Sequence, residues 1–185
     1  MPRPSARIEF ASADITAERV DAIVNAANGH LRHGGGVARA IRLAAGDGPF
    51  QRHCNELIEQ RGAPIPTGQA IVSESFDLPC RAVIHTVGPV YGEHDGREPE
   101  LLATAYRSAI ECASARGLKT LAFPAISCGI YGYPLESAAR TGIEAVMNAL
   151  EDHPEIELVR FCFVGGEEKS AFERAFREHV TRSEG

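Results

Sequence analysis

At 185 residues, 44% of them apolar and 24% charged, the chain is expected to form one globular domain with a substantial buried core. A net charge of -6 excludes a protein whose main task is to grip nucleic-acid backbone, which needs clustered Lys and Arg. Five scattered cysteines without a C-x-x-C pair exclude a disulfide framework and a common zinc site, and no stretch nears the ~18 apolar residues of a membrane span.

The N-terminal MPRPSARIEF lacks the apolar segment of a secretory leader, so a cytoplasmic protein with reduced thiols is expected. RIEFASADI reads as a first strand, and the apolar run Val20 to Val24 in VDAIVNA as a second. Three glycines follow, Gly34 to Gly36, and then a helix over VARAIRLAAG that stops at Gly46. A further helix over GPFQRHCNELIEQRG places Phe50, Cys54, Leu57 and Ile58 on one face before Gly62 ends it.

QAIVSES and AVIHTV, the latter centred on Val83 to Val87, read as strands. The next segment repeats apolar residues at helical spacing: Leu101, Leu102, Ala105, Tyr106, Ala109, Ile110 and Ala113. Then come strand TLAFPAI, helix LESAARTGIEAVMNALED, strand LVRFCFV and helix EEKSAFERAFREHV. Strands apolar on both sides, alternating with helices, predict an α/β fold: one three-layer sandwich around a mixed, largely parallel sheet of about six strands. In such sheets ligands sit at the carboxyl ends of the strands.

Two strand-to-helix junctions there carry glycine: NAANGHLRHGGGVARAI, from Asn25 to Ile41, and SCGIYGYP, from Ser127 to Pro134. Free N–H groups at a helix start, with the positive end of its dipole, make an anion site without any Lys or Arg. Two such loops facing each other predict a pyrophosphate between them. The first is not a G-x-G-x-x-G dinucleotide fingerprint with its ribose-binding acid, and no Gly-Lys-Ser/Thr of a P-loop exists.

The ordered series ADITAERVDAIVNAANGHLRHGGGVARAI, GQAIVSESFDLPCRAVIHTVGPVY and LAFPAISCGIYGYP resembles the macrodomain family of ADP-ribose-binding modules. The likeness runs from about Ile8 to Val180. It implies that Asp14 accepts from the adenine amino group and that the Ile15 N–H meets a ring nitrogen; a helix-capping Asp is the alternative. It implies that Asn28 bonds the distal ribose and serves any catalysis, and that Gly35, Gly36 and Val37 offer main-chain contacts to ribose and diphosphate. Ser127, Cys128, Gly129, Ile130 and Tyr131 would wrap the diphosphate from the other side. The family spacing selects Asn28 over Asn25, which is expected to satisfy loop backbone. The partners implied are ADP-ribose and ADP-ribosylated proteins, met by a monomer; no cofactor, metal, membrane or sequence-specific nucleic acid is called for.

Two departures bear on activity. Many catalytic macrodomains carry Asp directly after Gly-Gly-Val, where this chain has Ala38; losing an acid–base group costs ~10²–10⁴-fold in rate. The GGGVA pattern resembles the binding-type branch, with weak hydrolysis of ADP-ribosyl-glutamate or -aspartate esters, by substrate-assisted attack, left to it. A dedicated ADP-ribosyl hydrolase or O-acetyl-ADP-ribose deacetylase is the alternative. His33 reads as an exposed loop histidine, with partial compensation for the missing acid as the other option. The second departure is FCFVGGEEK, where relatives place an aromatic against adenine: Phe163 supplies it, or Val164 takes the place and Phe161 and Phe163 are core.

Other chemistries are weighed on the same loop. AISCG nearly matches a nucleophile elbow, with Asp152 and His153 downstream, but Ala125 stands where the first glycine belongs. Cys128, near a helix start, reads as a nucleophile of lowered pKa or as a small neighbour of the diphosphate. His30 and His33 form an H-x-x-H pair without a third ligand.

Overall fold

Strand β2 (Ala22–Ala26) lies at the centre of the molecule, hydrogen-bonded to a neighbour on either side. The computed structural model describes residues 6–185, so Met1 to Ser5 of the segment read for a leader lie outside the described residues. In chain order, β1 (Arg7–Ser12) leads through a short 3-10 turn (Ile15–Ala17) to β2, then α1 (Gly36–Arg61), β3 (Ala70–Glu74), β4 (Ala82–Thr86), α2 (Glu98–Ala115), β5 (Thr120–Phe123), α3 (Leu135–Asp152), β6 (Leu158–Phe163) and α4 (Gly166–Glu184). The six strands form one sheet in the order β1-β6-β5-β2-β4-β3. Every pairing is parallel except β3 with β4, so the sheet is mixed and mostly parallel, as expected.

Strand parity divides two cores. Ile23, Val83 and Ala122 face α1, meeting Ile41, Ala45, Phe50 and Cys54. Val24, Ile84, Leu121, Phe123 and Phe161 face α2, α3 and α4. Each fully buried Leu, Ile or Phe here contributes roughly 1.5–3 kcal/mol, far more than helix propensity does. Burying both sheet faces is what made the strands read as unbroken apolar runs.

Gly46 breaks α1 into two helical segments, as expected. It takes φ 105 and ψ 90, a kink across which helical structure continues to Arg61, with Pro49 just inside the second segment. The second helical segment stops at Gly62, whose φ of 77 suits a left-handed cap. On the other face, a Cβ on Gly142 of α3 would come within 2.8 Å of Tyr106 Cε2, so α3 packs directly on that ring. The Tyr106 hydroxyl accepts a hydrogen bond from Ile126 N at 3.1 Å, which ties α2 to the start of the second glycine loop.

Candidate functional site

The loops after β1, β2, β5 and β6 all leave from one edge, because these strands run parallel. Adjacency of β2 and β5 brings the two glycine junctions side by side. Helices α1, α3 and α4 start near that edge with Gly35, Pro134 and Gly165 at their N-cap positions, and none has a side-chain cap. Glycine or proline where Ser or Asp would bond the first-turn N–H groups leaves those donors open to an external anion.

In the first loop, Asn28 is half-buried and shapes its own turn. Its Oδ1 accepts from Arg32 N at 3.1 Å and His30 N at 3.2 Å, and its Nδ2 donates to Arg32 O at 2.7 Å. Leu31, fully buried, holds a left-handed φ of 52. Gln51 of α1 fastens the same segment by donating to Leu31 O at 2.8 Å. Beyond it, a Cβ at Gly34, Gly35 or Gly36 would meet nothing within 4 Å, and Gly35 is extended at φ -156. The protein's own packing therefore does not demand glycine at Gly35. Gly36 takes φ 55, the left-handed region.

The second loop is stiffer. Ser127 sits at φ 65, unusual for a residue with a side chain, and is pinned by Tyr133 N donating to its carbonyl at 3.0 Å. Cys128 N donates to Ala125 O and Gly132 N to Gly129 O, while the N–H groups of Gly129, Ile130 and Tyr131 bond nothing among the described residues. The Ile130 side chain is almost fully exposed.

On the β1 side, Asp14 Oδ1 takes two bonds from Thr16, at 2.9 Å from N and 2.7 Å from Oγ1, so the capping alternative is realised. The carboxylate remains exposed, with Ile15 buried beside it. Arg160 of β6 braces this turn by pairing with both Glu9 and Glu18. Neither Arg160 nor Gln51 stood out in the sequence, since one reads as a polar strand position and the other as a solvated helix face.

Several expectations are corrected. His33 is not an exposed loop residue: it is 1% exposed and stacked on His85 at 5.4 Å. Asn25 does not satisfy loop backbone; its amide Nδ2 lies 3.0 Å from His85 Nδ1 and 3.4 Å from His33 Nδ1. Phe163 is a core residue, 1% exposed and packed 5.0 Å from Phe172, whereas Val164 is 99% exposed. Burial, and then the Glu168 charge, pushes the Cys128 thiol up to about 12, the reverse of an activated nucleophile. His153 caps the far end of α3, about 27 Å along an 18-residue helix, and meets Ser114 at 3.1 Å, so no hydrolase triad forms at Ser127.

Val37 and Ala38 open α1, whose first turn contains no acidic residue. Among the described residues no group of three or more His, Cys, Asp or Glu is placed to hold a metal, and no helix is long and apolar enough to cross a membrane.

Known proteins share this fold. An O-acetyl-ADP-ribose deacetylase of Cronobacter sakazakii is 46% identical over 160 residues, covering 86% of this chain and 88% of that protein. The Oceanobacillus iheyensis macrodomain solved with ADP superposes with a TM-score of 0.92 at 35% identity, over 98% of this chain and 96% of that one. The Trypanosoma brucei macrodomain in complex with ADP-ribose gives a TM-score of 0.81 at 34% identity, over 90% and 68%. The family model for the Macro domain matches residues 24–142, and the chain belongs to that family.

Proposed function

We propose that the protein binds ADP-ribose, free or attached to proteins as mono-ADP-ribose, along the carboxyl edge of β1, β6, β5 and β2. The observation that carries this reading is the pair of uncapped, glycine-bearing junctions at adjacent strands, where donors and space are left open by the chain itself. Diphosphate would lie between Gly35–Val37 and Ser127–Tyr131, adenine beside Asp14 and Ile15, and the distal ribose at Asn28. Complexes of similar macrodomains with ADP and ADP-ribose support the ligand class. With Phe163 in the core, no aromatic of β6 is offered to adenine, and Val164 is the exposed side chain there.

Chemistry at this site would be slow. The first turn of α1 supplies no carboxylate and the Cys128 thiol stays protonated, so attack on an ADP-ribosyl ester would rely on a water held by the ligand's own phosphate. A deacetylase-like role is the second reading, favoured by the name of the Cronobacter relative. Five unpaired cysteines support a reducing, cytoplasmic setting.

The test is release of ADP-ribose from a protein mono-ADP-ribosylated on glutamate, with O-acetyl-ADP-ribose in parallel and Asn28→Ala as control. Tight binding with slow or absent turnover is expected. Rapid turnover abolished by Asn28→Ala would make the protein a dedicated eraser and overturn the slow-chemistry part of the reading.

A further inference from the structure

Behind the first loop runs a buried polar chain that ligand contact does not use. Asn25, the penultimate residue of β2, is in direct register with His85 of β4, and Ser73 of β3 reaches the same ring, all on the sheet face turned to α1. Ser73 Oγ donates to Glu74 O at 3.1 Å, so at 2.8 Å it accepts from His85 Nε2–H. Protonation at Nε2 leaves His85 Nδ1 to accept from the Asn25 amide. The same amide nitrogen reaches His33 Nδ1, while His33 Nε2 faces Cys54 Sγ at 3.5 Å. One amide thus serves two neutral rings.

This layer is not what packing alone would select. Asn25 is 0% exposed, and its Oδ1 has no hydrogen-bond partner among the described residues. Apolar side chains beside Phe50, which lies 5.5 Å from His33 and 5.9 Å from His85, would fill the space without desolvating an amide and two imidazoles. Anchoring of the loop also ends at His33, since the three glycines after it touch nothing through their Cβ positions. The last side chain before the open glycines is the one held from the sheet.

We propose that Asn25, His85 and Ser73 are positioning residues that act through His33 to set the first loop, from Asn28 to His33, for the distal ribose. The inference rests on the ADP-ribose reading of the site and assigns the network to one end of the ligand. The network spans β2, β4 and β3, whereas Asp14 follows β1, three strands from β2. Loosening it would therefore weaken recognition of the ribose end and leave the adenine end in place.

The test compares ADP-ribose with ADP, which lacks the distal ribose, by calorimetric titration alongside thermal melts. His33→Phe keeps the ring between Phe50 and His85 but removes the nitrogen that faces Asn25. His33→Asn returns an acceptor close to that position. Ser73→Ala breaks the chain at its remote end, away from any ligand contact. Wild type should prefer ADP-ribose; in His33→Phe and Ser73→Ala the preference should fall by about fivefold, with ADP affinity moving less than about twofold. His33→Asn should recover part of the loss. An unchanged preference in folded variants, or equal losses of both ligands, overturns the inference. Should His33→Phe not fold, Ser73→Ala decides alone. Failure of the wild type to bind ADP-ribose would overturn the reading of the site and this inference with it.

Discussion

Gly88 and Ser127 compete for the same small volume: a Cβ on Gly88 would overlap the Ser127 hydroxyl and stand 2.5 Å from Ile126 Cγ2. Ser127 is itself in the left-handed region, and its Oγ is buried with no hydrogen-bond partner among the described residues. The loop after β4 thereby packs directly on the second glycine loop after β5, with no room for a Cβ between them. Gly88→Ala should push Ser127 aside, destabilising the fold by about 1–3 kcal/mol and weakening ADP-ribose at least about tenfold. Melts and titrations check this, and a variant of wild-type affinity would show that the loop can absorb the shift.

Restoring the absent acid should restore rate. In Ala38→Asp the carboxylate would sit in the first turn of α1, where the helix dipole favours it. Release of ADP-ribose from a glutamate-linked substrate should rise by ~10² or more, with ADP-ribose affinity changed far less. An inert variant would mean that loop geometry, not the missing group, limits catalysis.

Acid should unfold the protein through its buried histidines. Burial, helped by the Arg42 charge, lowers the pKa of His33 from 6.5 to about 4. His85 is held well below its ordinary value by burial and by the neighbouring His33 and His53. Between about 6.5 and 4 the unfolded chain binds more protons than the fold does, so stability falls as pH drops through that window. His33 alone contributes roughly 3 kcal/mol of that loss, and its contribution levels off below about 4, where both states are protonated. Urea unfolding across the window checks the slope, which His33→Phe should flatten; an unchanged slope in that variant would contradict the assignment to His33.

Much of this was legible because burial of both sheet faces writes itself into the chain as apolar runs, and because the glycine junctions are local. What the sequence hid is tertiary. His33 sits in a polar, glycine-rich string and reads as solvated; its burial comes from His85, Phe50 and Cys54, which are remote in sequence. Parity put Phe161 and Phe163 on one face, but it is Tyr106 of α2 and Phe172 of α4, packed against them, that make this face core. At Cys128 the helix start argued for a lowered pKa, and desolvation outweighs it. Gly46 was legible as a break because its positive φ interrupts the helix; that a second segment resumes at once beyond it is a tertiary matter.

If the open N–H groups at the start of α1 are kept for a diphosphate, satisfying them from within the chain should cost the ligand its site. Gly35 is the N-cap, extended, with empty space at its Cβ, so Gly35→Asp should fit without strain and bond those N–H groups internally. Calorimetric titration of ADP-ribose should show saturable binding by the wild type. The Gly35→Asp protein should melt no lower, and by a few tenths of a kcal/mol higher, yet bind ADP-ribose at least about a hundredfold more weakly. Equal binding by both proteins, or none by the wild type, would show that these N–H groups hold no diphosphate.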